Sequence, residues 1–190
     1  MRTFVSINLD NSIISTLADI QNNLKERIFF LNPDYLKFIK WEDKNKFHIT
    51  LFFIGDTDDK KLREIEQTLT SVESGLSNHK IIFELKCINA FPNLKYPRVL
   101  ILELLNEDRK VFELYQNIII RFKRIGLICD KSFRPHITLG RIRRDRKLNL
   151  SGLNTDIIQG ISFSAYKFSL MESRLKSHGS EYSVIRDYSI

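Results

Sequence analysis

The tetrapeptide His48-Ile49-Thr50-Leu51 recurs as His136-Ile137-Thr138-Leu139, 88 residues later, and takes up two of the chain's four histidines. Each copy lies in an apolar, strand-like stretch, residues 47–54 and 133–142. A single His-x-Thr arises often by chance, whereas the same string twice in matching contexts carries much more weight. Side chains alternate along a strand, so His48 and Thr50 share one face and Ile49 and Leu51 the other, and the second copy repeats this. An imidazole, with an ordinary pKa of about 6.5, serves as acid or base near neutrality. If the two strands are neighbours, one neutral and one protonated histidine make a push-pull pair across a substrate. The hydroxyls of Thr50 and Thr138 would hold the non-bridging oxygens of a phosphate between them. The plainer reading is a pair of half-exposed strand segments repeated by duplication. A metal centre fits poorly: threonine is a weak ligand, and no Asp, Glu or Cys stands at ligand spacing, so a two-histidine zinc site lacks its third protein ligand. The expectation is no metal and no cofactor.

Arg141 follows His136 by an odd number of residues and on strict alternation faces away from it. Gly140 beside it permits a bulge or a strand end that would turn it inward. Arg134 shares the face of His136 by parity, and Lys46 stands equivalently to His48, so parity ranks neither. The run from Arg141 to Lys147 holds five basic residues in seven; it reads either as a track for a nucleic-acid backbone or as a solvated loop. Trp41, Phe52 and Tyr96 are candidate base-stacking platforms, or else core aromatics. His79 and His178, in polar surroundings, read as exposed bystanders.

The elements around these residues alternate. Residues 2–9 read as a strand. A helix capped by Asp10 or Asn11 follows, with Ile13, Leu17, Ile20, Leu24 and Ile28 as its apolar stripe. Two strands, 37–41 and 46–54, flank the polar turn Glu42 to Asn45. A second helix spans about 58–77, with Leu62, Ile65, Leu69, Val72 and Leu76 in its stripe and Asp58 and Asp59 at its positive end. Strands near 80–88 and 97–104 flank a turn at Phe91-Pro92-Asn93. A third helix, about 107–124, carries Val111, Leu114, Ile118 and Phe122 and is stopped by Gly126. Strands near 134–142, 161–171 and 181–187 complete the order. Hairpin-length gaps favour antiparallel pairing and an α+β fold over a doubly wound parallel sheet.

With 190 residues, 43% of them hydrophobic, the chain builds a sizeable core and is not disordered. No linker or low-complexity stretch divides it, so residues 1–190 are expected to form a single domain. The net charge of +7 favours an anionic partner such as nucleic acid, a nucleotide or a phosphate ester. Cys87 and Cys129 lack CxxC spacing and read as two buried free thiols in a reducing compartment, which excludes a disulfide scaffold. Residues 1–10 lack the apolar core of a signal peptide, and no apolar run approaches a membrane span. The expectation is a soluble, cytoplasmic monomer with no membrane association.

The paired motifs resemble those of the two-histidine phosphoesterase superfamily, specifically its RNA 2′,3′-cyclic phosphodiesterases, also called 2′-5′ RNA ligases. The likeness covers nearly the whole chain. Arg2-Thr3-Phe4-Val5-Ser6-Ile7 is similar to that family's opening strand, and Trp41 precedes the first motif at a familiar distance. His48-Ile49-Thr50-Leu51-Phe52-Phe53-Ile54-Gly55 is close to its HxTLxFLG string, and Arg134-Pro135-His136-Ile137-Thr138-Leu139-Gly140-Arg141 to its PHxTLxR string, with Gly140 where alanine is common. Phe91-Pro92 and Pro97-Arg98-Val99 resemble its central hairpin, and Ser173, Gly179 and Tyr182 its C-terminal hairpin. The resemblance implies a two-lobed fold with pseudo-twofold symmetry, antiparallel sheets flanked by helices, and an active cleft between the lobes. It implies hydrolysis of a 2′,3′-cyclic phosphate at an RNA or nucleotide end to a 2′-phosphate, with His48 as proton donor, His136 as proton acceptor and Arg141 at the phosphate. The same site run backwards would join ends through a 2′-5′ linkage. A related phosphoesterase acting on another cyclic phosphate or a 2′-5′ oligonucleotide, and a non-catalytic RNA-binding module, are the alternatives.

Overall fold

The computed structural model describes all residues except 76–79, 130–131, 154, 156–157, 159 and 177–178. Leu76, His79 and His178 therefore lie outside the described residues. The chain runs β1 (Arg2–Asn8), α1 (Asn11–Leu31), β2 (Ile39–Trp41), β3 (His48–Asp56), α2 (Asp59–Glu73), β4 (Ile81–Phe91), β5 (Val99–Leu105), α3 (Lys110–Arg124), β6 (His136–Ile142), β7 (Ser162–Ala165), β8 (Lys167–Lys176) and β9 (Gly179–Ser189). Short 3-10 helices, Pro33–Phe38 and Lys44–Lys46, bracket β2.

All the strand pairs are antiparallel, in one continuous sheet ordered β7-β4-β5-β6-β3-β1-β8-β9. Reading outward from the centre, β6-β5-β4-β7 mirrors β3-β1-β8-β9. This is the two-lobed, pseudo-twofold α+β architecture, with the repeated tetrapeptides on the two central strands. The apolar stripes of the helices meet the sheet in one core. Leu17, Leu24 and Ile28 of α1, Ile65 and Leu69 of α2, and Leu114, Ile118 and Phe122 of α3 all join Ile49, Leu51, Ile137 and Leu139 there. Each such side chain contributes about 1.5–3 kcal/mol by leaving water. Asp58 caps α2, its carboxylate accepting from the Lys61 N–H at 2.7 Å. Gly126 ends α3 with a φ of +77°, the left-handed conformation glycine adopts at least cost.

Three details depart from the sequence expectation. The stretch from residue 37 is a 3-10 turn before it is a strand, and β2 pairs with β6 rather than with β3 across the polar turn. The strand expected over 161–171 is two strands: the chain leaves β7, on the outer edge of one lobe, and enters β8 beside β1 in the other. The change falls at Tyr166, where no glycine or proline marks it. Cys87 and Cys129, neither of them in a disulfide, are half-buried rather than buried. Among the described residues, no helix is long and apolar enough to cross a membrane.

Candidate active site

The two central strands meet at a single residue pair, Ile49 opposite Ile137. In an antiparallel register that places His48 opposite Thr138 and Thr50 opposite His136, so the two imidazoles sit on a diagonal about the pseudo-twofold axis. Ile49, Leu51, Ile137 and Leu139 are buried on the helix side, while both histidines and both threonines are half-buried on the other face. That is the division strand alternation requires.

Immediately after each threonine the alternation breaks. Between β1 and β3 the register passes from Ser6 opposite Thr50 to Val5 opposite Phe52, leaving Leu51 unpaired. Between β5 and β6 it passes from Ile101 opposite Thr138 to Leu100 opposite Gly140, leaving Leu139 unpaired. Each copy of the repeat thus carries a β-bulge at its leucine, with two consecutive residues turned to the core and the residues just after them changing face; on β3 a second irregularity follows at Ile54. The bulge brings Arg141 back to the cleft side, where it lines the cavity. The extra residue is Leu139, and Gly140 serves a different purpose. A Cβ at Gly140 would lie 3.0 Å from Ile39 and 3.2 Å from Trp41, so its absence lets β2 cross close by.

Gln21 clamps this bulge. It is the one polar residue on the buried stripe of α1, and its amide nitrogen donates to the carbonyls of Leu139 and Glu42, both at 2.8 Å. Gln21→Leu keeps the packing but strands the Glu42 carbonyl, since Leu139 also accepts from the Glu42 N–H. The expected loss is about 1–3 kcal/mol of stability, read as a lower denaturant midpoint at constant slope. An unchanged midpoint would show that the clamp contributes nothing to stability.

A cavity of about 490 Å³ opens on this face, lined by His48, Thr50, Thr138, Arg141, Lys46 and Tyr182 among others. His136 lies outside that lining, with its ring edge-on to Phe91 at 4.9 Å between centroids. His48 is packed between Phe4 and Tyr182, at 5.2 and 5.4 Å. Nδ1 of His48 is 2.7 Å from the Lys46 carbonyl, and Nδ1 of His136 is 2.6 Å from the Arg134 carbonyl. A carbonyl only accepts, so each Nδ1 carries a proton and each Nε2 is left for chemistry. Nε2 of His48 lies 3.0 Å from the Thr50 hydroxyl.

Both histidines are held below the ordinary imidazole value. For His48 burial is the main cause; the Lys46 carbonyl opposes it, and the positive charges of His136 and Arg141 add to it. For His136 burial again leads and the Arg134 carbonyl opposes; Arg141 and Arg134 then lower it while Glu103 raises it. The positive charge of His136 is among those that lower His48, so protonation of one bears on the other.

The surroundings of the two copies differ. Asn8 stands opposite His48, whereas Glu103 stands opposite His136. Glu103, nearly buried, accepts from Arg134 at 2.6 Å and Asn89 at 2.9 Å and lies 3.4 Å from Lys86. Arg134 is thereby committed to Glu103, while Lys46 faces the cavity. Among the aromatics, Phe52 is 3% exposed and belongs to the core, edge-on to Phe122. Trp41 is half-buried under Lys25, and Tyr96, 61% exposed, lies outside the cavity lining. The exposed aromatic in the cavity lining, beside Phe4 and Tyr182, is Phe53, 60% exposed. It is five residues after His48, as Arg141 is five after His136, and the same bulge turns it inward. Residues 51–54 are all apolar, so the sequence carried no signal separating Phe53 from Phe52. Among the described residues, no group of three or more His, Cys, Asp or Glu is arranged to hold a metal ion.

Comparison with known proteins gives a consistent picture. The sequence model of the LigT like Phosphoesterase family matches residues 7–101. An RNA 2′,3′-cyclic phosphodiesterase of Methanocaldococcus jannaschii is 30% identical over 192 residues, covering 99% of this chain and 100% of that protein. One from Archaeoglobus fulgidus is 31% identical over 144 residues, covering 76% of this chain and 74% of its own length. A crystal structure of a Thermus thermophilus protein shares the fold, with a TM-score of 0.80 at 22% identity, covering 100% of this chain and 97% of that one.

Proposed function

We propose that this chain, which belongs to the LigT-like phosphoesterase family, is an RNA 2′,3′-cyclic phosphodiesterase that opens the cyclic phosphate to a 2′-phosphate by two-histidine acid-base catalysis. The observation that carries this reading is the diagonal His-x-Thr pair about the Ile49–Ile137 bridge, with each Nδ1 anchored on a backbone carbonyl so that Nε2 is the nitrogen that can exchange a proton. The activity of the relatives gives the substrate class: an RNA or nucleotide ending in a 2′,3′-cyclic phosphate.

In the forward reaction Nε2 of His136 takes a proton from water, and the water oxygen bonds to phosphorus. The bond from phosphorus to the ribose 3′-oxygen breaks, and that oxygen takes the proton carried by Nε2 of His48. The product is the 2′-phosphate, and the two histidines exchange protonation states. Thr50 and Thr138 hold the non-bridging oxygens, and Arg141 offsets the charge that builds on them. The reading needs no metal or cofactor, since the cleft itself supplies acid, base and positive charge. It extends to one two-lobed domain acting as a monomer in the cytoplasm: the sheet is unbroken, one chain supplies all five groups, and neither cysteine is in a disulfide.

The test is incubation with an oligoribonucleotide ending in a 2′,3′-cyclic phosphate, in excess chelator, followed by identification of the product. A 2′-phosphate end is expected. A 3′-phosphate end would reverse the assigned leaving group, and an unopened ring would overturn the reading. A ligated product with a 5′-hydroxyl acceptor would show the same chemistry run backwards.

A further inference from the structure

We infer that Arg144 binds the phosphodiester on the 5′ side of the reacting nucleotide, so that the site selects oligonucleotide ends over free cyclic nucleotides. This rests on the functional reading above. A 2′,3′-cyclic phosphate occupies both ribose hydroxyls of the last nucleotide. Any further chain must leave through the 5′-oxygen, and its first charge is the next phosphate. A site for RNA ends rather than for mononucleotides therefore needs a second cation, set apart from the reacting phosphate.

The basic run after β6 is sorted by the structure into cations with separate duties. Arg143 is neutralised by Asp145, with contacts of 3.1 and 3.2 Å. Arg146 lies 3.6 Å from the same carboxylate and stacks over Phe38 at 4.7 Å. Arg144 lines the cavity and, among the described residues, forms no ion pair. Its backbone is braced. Arg98 donates from Nη1 to the carbonyls of Arg144 and Arg146 at 3.3 and 3.2 Å, and the Arg143 N–H donates to the Phe38 carbonyl at 2.9 Å. The loop is thus fixed before substrate arrives, which spares ordering entropy when the guanidinium engages a phosphate. Arg144 stands in the turn beyond the end of β6, three residues past Arg141, which sets it apart from the two His-x-Thr pairs.

The other cations of the lining do not fit this duty as well. Arg2 lies 3.4 Å from Asp56. Lys46 and Arg141 both act on Glu42, at the catalytic end of the cavity.

The experiment compares kcat/KM for a cyclic mononucleotide and for a trinucleotide ending in a 2′,3′-cyclic phosphate, across a range of salt. The unmutated chain should favour the trinucleotide. Arg144→Gln should cut that preference about tenfold, as expected for one charge-assisted contact. It should also reduce the salt slope on the trinucleotide by about one. Arg144→Glu should cut it further, and Arg143→Gln, at a paired arginine, should leave the preference intact. Equal loss on both substrates, or an unchanged preference, would overturn this inference alone. No opening of either substrate by the unmutated chain would overturn the functional reading and this inference with it.

Discussion

Exchanging either histidine for alanine, His48→Ala or His136→Ala, lowers kcat on a 2′,3′-cyclic phosphate by about 10²–10⁴-fold, the range for losing a positioned general acid or base. The structure supports a large effect at both positions. Each ring is oriented by a backbone carbonyl through Nδ1 and wedged against an aromatic, Tyr182 or Phe91, so a water in the vacated space would have neither the orientation nor the proton affinity. The double variant should fall well short of the product of the two losses, because acid and base work in one step. Single-turnover rates at saturating substrate check this. Near-normal turnover in either single variant would remove that histidine from the mechanism.

Arg141→Gln should lower kcat/KM by about 10²-fold, on the scale of losing one preorganised donor to a developing anion. It should also move the pH profile. Arg141 depresses both imidazoles, because its positive charge disfavours a second one nearby. Without it, both histidines keep their protons to higher pH. The acidic limb, where the base becomes protonated, and the basic limb, where the acid loses its proton, should then both shift upward. A rate loss with a stationary profile would mean that Arg141 contacts substrate without acting on the pair.

The elements positioned by period and punctuation were legible in the sequence. The stripes of the three helices, the cap at Asp58, the stop at Gly126 and the shared face of each His-x-Thr pair follow from local rules. What escaped depends on contacts between distant segments. A bulge adds one residue without a compositional mark, so Leu51 and Leu139 look like ordinary strand leucines until their partners are known, and Phe53 could not be told from Phe52. Tyr166 divides two strands because each has a partner in a different lobe, which no local signal reports. β2 is three residues long and finds β6 through Gly140 and Gln21. Gln21 and Glu103 left a faint trace, each a lone polar residue in an apolar pattern, which is how a buried and satisfied polar group reads.

The most direct test of the two-histidine account is the pH dependence of kcat/KM with and without chelator. In the free cleft burial and Arg141 hold both histidines below 6.5. One must be protonated and the other neutral, so the profile should be a bell whose two limbs belong to the coupled pair and whose maximum lies on the acid side of that value. Activity should already be falling as pH rises toward neutrality, because the acid loses its proton below the ordinary imidazole value, and chelator should leave the whole curve in place. A curve abolished by chelator and restored by a divalent ion would mean that a metal-bound hydroxide attacks the phosphorus, and that His48 and His136 are not the proton carriers.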